Sequence, residues 1–500
     1  MQQARSIESY AAIPMWQSSS LQCPLCGSRR RDYLFVAGQS RMTQCHECHL
    51  ISRTGADGAP VAAGSGACSY KLDSATDAFV RGGLVAHGAV ELLEVLVGPG
   101  DPRLGQDPRL KVTTAFASDG LAGVTGKYDA AFVNGAVEEV ADPLRLLRDV
   151  RDKLRPDGLL WVFVNDGNLT RVPSETARMP CHVFSPPTLL RLARVAGFRT
   201  RSCGVVNRPL DVPAADARLD TRPPFPRLHR LRAALPGGAQ VRSGLVELRA
   251  IVTEVQEAPT LTIVMPVFNE ARTFRDTFDR IYAARIEGVE RDVLIVESNS
   301  TDGSRELVRA IEKMPGVRVI YEDRPRGKGH AVRKALAAAT GDIILIQDAD
   351  SEYDVADYDI VLEPLLRLSA TFVLGSRHMG SRTWKVRRFN DFPMLSTLMN
   401  LAHQGFTALA NWLYEAEMRD PTTMYKVFRR ECIEGIAFRR DRFDFDWELV
   451  CKLIRRGHMP VEVPINYRAR SYAEGKKVRF FRDPWTWLAT IVASRFESLT

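Results

Sequence analysis

Two groups of residues in this chain have types and spacing suited to chemistry. The first is the acids Asp348, Asp350 and Glu352 in QDADSEY. Alternate residues of an extended segment face one side, so the carboxylates of Asp348 and Asp350 can share a divalent ion, and Glu352 repeats the phase. Hard oxygen ligands of this kind suit Mg2+ or Mn2+ bridging two phosphates, where the ion offsets charge building on a leaving diphosphate. Three acids after a strand also cap solvated loops, so the motif takes its meaning from its surroundings.

The second group is Cys23, Cys26, Cys45 and Cys48, standing as CPLC and CHEC with eighteen residues between them. This is the spacing at which two short knuckles deliver four thiolates to one tetrahedral zinc. A closed four-thiolate shell leaves no position for water, so the expected zinc is structural and replaces the core that so small a module lacks. His46 and His49 flank the second knuckle as exposed neighbours. The other five of the nine cysteines are scattered singly, which argues against a disulfide framework.

The acids need elements to carry them. LTIVMPVFNEARTF reads as a strand ending at Pro266, a loop, and a helix from about Ala271. DVLIVE is a second strand, followed by SNSTDGS, where Asp302 and Gly303 make a turn and Ser304 can start a helix. A third strand, VRVIYED, leads to RPRGKGHAVRKALAAATGD, in which Gly327 and Gly329 bracket Lys328, and a fourth, IILIQDAD, stops at the acids. Alternation of strand and helix predicts a mostly parallel sheet with its ligand across the carboxyl ends of the strands. Each polar cluster falls at such an end.

Upstream, GKYDAAFVNGAVEEVADPLRLLRDVRDKLRPDGLLWVFVND reads as strand, turn, amphipathic helix, Pro-Asp-Gly turn and apolar strand, a βαβ unit. Residues 207–240, rich in Pro and Arg, read as a long loop or insertion. The alternating run GLVELRAIVTEV closes this middle domain, which sets the next boundary near Ala258.

A chain of 500 residues, 45% hydrophobic and 26% charged, is folded and multidomain. The N-terminus lacks a basic segment followed by an apolar one, and no apolar run reaches about eighteen residues. The expected location is cytoplasmic. A net charge of +8 fits anionic small molecules or a membrane surface, and no nucleic-acid partner is expected.

The ordered set MPVFNE, VESNSTDGS, RGKGHAV, QDAD, GSRH, DPTTMYKVFRR and FDFDWELVCKL, then EVPINYRARSYAEGKK, resembles glycosyltransferase family 2 over about residues 260–482. The resemblance is to the branch similar to dolichol-phosphate mannose synthase and other polyprenyl-phosphate glycosyltransferases. It implies a GT-A fold, inversion at the anomeric carbon and a nucleoside diphosphate sugar donor. It places Pro266, Phe268 and Glu270 on base and ribose, with Glu297 and Asn299 beside them. Phe268 and Glu297 stand where the family usually has tyrosine and aspartate, which leaves the base open. Lys328 falls beside the diphosphate, and Asp348, Asp350 and Glu352 hold the ion. Arg377 lines the donor or acceptor phosphate and Asp420 faces sugar and acceptor, so Asp348, Asp350, Asp420 and Arg377 are the expected catalytic set. Arg468, Arg470, Lys476 and Lys477 form a basic loop suited to clamping an anionic acceptor. A phosphate acceptor needs no base; a hydroxyl does, and Asp420 is then the candidate.

Residues 85–256 resemble class I S-adenosylmethionine-dependent methyltransferases through YDAAFVN, RPDG and LLWVFV. That family holds its cofactor with a glycine-rich turn after the first strand and an acid ending the second. Here Gly98 and Gly100 flank Pro99 and a Pro-rich continuation replaces the helix opening, while LKVTTAFA ends without an acid. The expectation is a domain that keeps the fold and has lost the S-adenosylmethionine site.

The expected architecture is α/β and multidomain: a small zinc ribbon at 20–56, a Rossmann-like methyltransferase-type domain at 75–256, and a GT-A glycosyltransferase domain at 258–500. FPMLSTLMNLAHQGFTALANWLY and DPWTWLATIVASRF carry apolar stripes edged by Trp, as interfacial helices do, and Asn400, His403, Gln404 and Asn411 oppose spanning. Core packing gives the same stripes. The expected function is inverting, metal-dependent transfer of a sugar to a polyprenyl phosphate or other lipid-linked acceptor, with peripheral contact at the inner membrane face. The alternatives are a bifunctional enzyme that also methylates, and a zinc-anchored scaffold that only binds sugar nucleotides; the intact acids weigh against the scaffold.

Overall fold

The computed structural model describes residues 22–37, 40–54, 72, 74–165, 180–205, 245–253, 258–379, 393–468 and 483–499, which form three sheets. The stretch 207–240 and the expected acceptor residues Arg470, Lys476 and Lys477 lie outside the described residues.

Strands β1 (Arg31–Ala37), β2 (Ser40–Cys45) and β3 (Ile51–Thr54) pair antiparallel. There follow α1 (Ser74–Ala86), β4 (Glu91–Leu96), β5 (Lys111–Phe116), β6 (Tyr128–Asn134), α2 (Ala136–Glu139), α3 (Pro143–Lys153), β7 (Leu154–Asn165), β8 (His182–Val183), α4 (Pro186–Val195), β9 (Phe198–Val205) and β10 (Leu245–Val252). Strand β8 returns to the first sheet, pairing Ile51 with Val183 and Ser52 with His182. The rest form a six-stranded sheet ordered β5-β4-β6-β7-β10-β9, in which β10 runs antiparallel to both neighbours.

Alternation along β7 sends Trp161 and Phe163 to one face and Leu160, Val162 and Val164 to the other, so each face has its own core. Helix α3 starts where its pattern begins, with Asp142 accepting the Arg145 amide and Pro143 in the first turn. The expected Pro-Asp-Gly turn is absorbed into β7 as a bulge: Asp157 takes φ 60 and the register with β6 jumps between Tyr128 and Ala130. Arg155 holds that bulge by pairing with Asp129 and Glu91. Strand β5 ends at Phe116, and an acid, Asp119, follows in the turn beyond it.

The third sheet is built from β11 (Thr260–Val267), α5 (Phe274–Ala283), β12 (Glu290–Glu297), α6 (Ser304–Ile311), β13 (Val317–Tyr321), α7 (Lys328–Ala338), β14 (Ile343–Ile346), α8 (Tyr358–Leu366), β15 (Phe372–Ser376), α9 (Pro393–Tyr414), β16 (Lys426–Arg429), α10 (Phe445–Arg455), β17 (Val461–Pro464) and α11 (Asp483–Phe496). Its order is β13-β12-β11-β14-β16-β15-β17, parallel except for β16. Helix α5 starts three residues later than its sequence suggests. The amides of Asn269, Glu270 and Ala271 are taken instead by Ser300 Oγ, Ser304 Oγ and Asp302 Oδ2, which stitches the first carboxyl-end loop to the second. All four residues of β14 are buried, and each such aliphatic side chain contributes about 1.5–3 kcal/mol, enough to fix where the acids emerge.

The three units are joined by specific contacts. Arg456, just past α10, donates to Val205 O and pairs with Glu247 at 3.0 Å. Gly457, at φ 90, leaves no room for a Cβ, which would stand 2.5 Å from Val205 Cγ2. His458 bridges Thr371 Oγ1 and Cys203 O, both at 2.9 Å. Arg191 on α4 donates to Glu47 O of the cysteine-bearing unit and Arg367 O of the third sheet.

Helices α9 and α11 pack together and bury Asn400, His403, Ala410, Leu413 and Tyr414. Leu398 and Leu401 are 52% and 53% exposed and Trp485 is 73% exposed. Among the described residues no helix is long and apolar enough to cross a membrane.

Burial lowers the pKa of His182 to about 4 and that of His458 to about 3. An unfolded imidazole takes its proton near pH 6.5, so below that pH the unfolded chain binds protons that the folded sites refuse. The stability these sites contribute is complete above about pH 6.5 and falls by up to about 1.4 kcal/mol per pH unit per histidine on acidification toward pH 4. Melting temperature measured from pH 7.5 to 5 should fall, and His458→Gln should flatten that slope while lowering stability at neutral pH.

Candidate active site

The carboxyl ends of the third sheet open into a cavity of about 670 Å³. Pro266, Phe268 and Glu270 from the first loop line it, with Lys328, Asp348, Asp350, Glu352 and Arg377. Glu297 and Asn299 do not. The Glu297 carboxylate is fully buried, accepts the amides of Ser300 at 2.6 Å and Asn299 at 3.2 Å, and pairs with Arg305. Asn299, at φ 55, accepts from Arg305 through its side chain. Both therefore shape the second loop from behind the wall.

Lys328 opens α7 because the preceding Gly327 and following Gly329 let the 440–445 segment lie against the backbone: a Cβ at 327 would stand 2.3 Å from Asp441 O, and one at 329 would stand 2.6 Å from Phe445 Cβ. That approach brings Arg442, Phe443, Asp446 and Trp447, from and beside the FDFDWELVCKL motif, to the cavity lining. Lys328 Nζ lies 2.5 Å from Asp348 Oδ1 and 2.7 Å from Oδ2, with Met424 Sδ at 3.0 Å. Burial opposes its charge, but Asp348, Asp446 and Asp350 outweigh that and raise its pKa above the ordinary lysine range. Asp446 in turn is held by buried Lys426 at 3.0 Å.

The other acids are held separately. Asp350 accepts the Glu352 amide at 3.3 Å, and Glu352 Oε2 accepts the Tyr467 hydroxyl at 3.0 Å. The Arg468 amide donates to Glu352 O, which pins the start of the expected acceptor loop to the acidic loop.

Arg377 grips Asp420 with both ends of its fork, Nε to Oδ2 at 2.8 Å and Nη2 to Oδ1 at 2.6 Å. It also donates to Thr422 Oγ1 at 3.0 Å and lies 5.0 Å from the Tyr467 ring. Asp420 is fully buried and sits behind Arg377 rather than on the wall. Burial raises its pKa, but the guanidinium and the nearby His403 overcome this and hold it well below the usual carboxylate range. His378 and His403 stack at 5.5 Å beside it, so their ring nitrogens and an Asp420 oxygen lie within 4.8 Å of one another, although Arg377 already occupies both oxygens.

Far from this cavity, Cys23, Cys26, Cys45 and Cys48 bring their sulfurs within 4.8 Å of one another. The knuckles repeat one geometry. The amides of Gly27 and His49 donate to Cys23 O and Cys45 O, and both residues take left-handed φ, 72 and 59. Hydrogen bonds from Cys23 and Cys48 hold Cys45 well below the thiol range, while burial pushes Cys26 up to about 11. A nest that favours one thiolate and resists a second calls for a cation before all four ionise. His46 and His49 are exposed and outside the cluster.

A parallel sheet whose carboxyl ends gather acids, cations and aromatics around one cavity defines a ligand-binding α/β enzyme. The family model described as glycosyl transferase family 2 matches residues 262–436. The chain is 30% identical over 215 residues to a dolichyl-phosphate hexose transferase of Haloferax volcanii, covering 42% of this chain and 84% of that protein. It is 29% identical over 222 residues to the glycosyltransferase AglJ of the same organism, covering 44% and 67%. It is 23% identical over 218 residues to a dolichol-phosphate mannosyltransferase of Pyrococcus furiosus, covering 43% and only 58% of that protein's length. The chain belongs to glycosyl transferase family 2, and it is a glycosyltransferase.

Removing Arg377 strands a buried anion. Arg377→Ala should destabilise the domain by about 3–5 kcal/mol in denaturant titration, and adding Asp420→Asn should restore part of that loss, because the charge left unpaired is then gone.

Proposed function

We propose that the sheet-end cavity of a GT-A-type domain transfers a sugar, with inversion, from a nucleoside diphosphate sugar to a polyprenyl phosphate or similar lipid-linked phosphate. The observation that carries this reading is the gathering of acids and cations around one cavity, Asp348, Asp350 and Glu352 with Lys328, Arg326, Arg377 and Arg442. Pro266, Phe268 and Glu270 cradle base and ribose, while Glu297 and Asn299 hold the loop that completes that subsite. Asp348, Asp350 and Glu352 all line the cavity and carry the hard oxygen ligands that would hold a Mg2+ or Mn2+ once drawn together, and the ion when bound would supply positive charge to the departing diphosphate. Lys328 and Arg377 add cations to the same oxygens.

An acceptor phosphate arrives already ionised, which suits a site whose expected base, Asp420, is locked onto Arg377. Asp420 then acts by holding Arg377 in place. Arg468, with Arg470, Lys476 and Lys477, supplies the acceptor clamp. The relatives' printed acceptors, dolichol phosphates, support the same class. Exposed Leu398, Leu401 and Trp485 give the protein a peripheral hold on a bilayer at its cytoplasmic face.

The middle sheet supports a methyltransferase-type fold without its cofactor. The loop after β4 consumes its own donors: the Gly98 amide goes to Asp101, the Leu104 amide to buried Glu94 and the Gly105 amide to Asp77. Calorimetry should therefore detect no micromolar binding of S-adenosylmethionine. The four cysteines fit a structural zinc, and Cys45→Ser should remove about one equivalent of zinc per chain and lower the melting temperature.

The transferase reading is tested by thermal shift across GDP-, UDP- and dTDP-sugars with Mn2+ or Mg2+, followed by transfer to a short polyprenyl phosphate. One donor should stabilise the chain only with metal, and Asp350→Ala should lower turnover by about a hundredfold or more. Undiminished transfer in that variant would overturn the mechanism.

A further inference from the structure

The place that an ion would take on Asp348 is contested by the protein's own ammonium. Lys328 Nζ lies within 2.7 Å of both Asp348 oxygens, on a side chain only 19% exposed. The acids are also not gathered: among the described residues, three ligand-bearing groups come within 4.8 Å at the four cysteines and at His378, His403 and Asp420, but not at Asp348, Asp350 and Glu352. An ammonium and a divalent cation cannot both sit on one carboxylate without strong repulsion.

A rival anion would resolve this. Lys328 is the first residue of α7, an eleven-residue helix whose N-terminal amides and dipole favour phosphate. Its four-carbon stem lets the ammonium swing to a new partner without moving the backbone. A diphosphate entering beside Asp348 offers that partner and exposes the carboxylate to the ion.

We propose that Lys328 is a positioning residue that keeps Asp348 closed to the divalent ion until a donor diphosphate draws the ammonium away, so that metal and nucleotide load together. This rests on the reading of Asp348 and Asp350 as metal ligands. A merely structural lysine would, on removal, weaken metal binding; a competing one would strengthen it.

The test measures Mn2+ binding to the full chain without nucleotide, following free Mn2+ by electron paramagnetic resonance. Lys328→Met should bind Mn2+ at least about tenfold more tightly than the natural protein, since a unit charge is removed beside the ion. Lys328→Arg, which keeps the charge, should not. Lys328→Gln is a second uncharged variant should the apolar one fail to fold, and thermal melting reports folding for each. Adding Asp348→Asn to Lys328→Met should abolish the gain. Unchanged or weaker Mn2+ binding in a folded uncharged variant overturns the proposal. The assignment beneath it is read separately, with Mn2+ and UDP or GDP. If Asp350→Ala leaves nucleotide-dependent Mn2+ binding intact, the metal lies elsewhere and both readings fall. If it abolishes that binding while Lys328→Met shows no gain, only the role of Lys328 falls.

Discussion

The ion pair between Arg377 and Asp420 is the constraint on which the C-terminal domain depends. A carboxylate with no solvent access must be neutralised where it lies, and the Arg377 fork does this by donating to both Asp420 oxygens, with the Arg377 backbone amide as a third donor. The pair draws in five separate pieces of chain. Arg377 follows β15, Thr422 and Asp420 precede β16, His403 stands on α9, Tyr353 and Tyr467 flank the guanidinium, and Glu462 of β17 accepts the Asp420 amide. The acidic loop, helix α9 and the sheet edge are thus held by one charge. Burial of that charge is costly, so removing either partner would leave the other charged and uncompensated.

Much of this was legible in the sequence, for a local reason. Each of the first four strands of the C-terminal domain is an apolar run that stops at a polar cluster, and a parallel sheet places all such stops on one edge. Lys328 and the three acids stand at such stops, Pro266, Phe268 and Glu270 take their place from the family resemblance, and all of them line the cavity. What stayed hidden required knowledge of depth. Glu297 and Asp420 occupy positions that read as site residues, yet each carboxylate is consumed a layer behind the wall, one by loop amides and the other by arginine. Arg442, Phe443, Asp446 and Tyr467 reach the cavity by long-range packing, which leaves no periodic mark. Aromatic residues beside a basic or acidic neighbour, as in RFDFDW and NYRAR, were the available hint.

Upstream the balance was similar. The alternating run that became β10 could be read as a half-buried strand, but its insertion between β7 and β9 could not, since pairing order is a property of the whole sheet. The Pro-Asp-Gly turn signal was real and was satisfied within a strand, because Arg155 gives the bulge two carboxylates to lean on. The cysteine spacing needed no tertiary knowledge at all: eighteen residues suffice for a hairpin that returns the second knuckle to the first.

Gly457 sets how closely two of the sheets can meet. Where it meets Val205 the backbone of the transferase is bare, and the neighbouring sheet fills the space that a side chain would take. A side chain at 457 would push the two sheets apart, and a smaller group at 205 would leave a void between them, so the seam is complementary in shape and not only in charge.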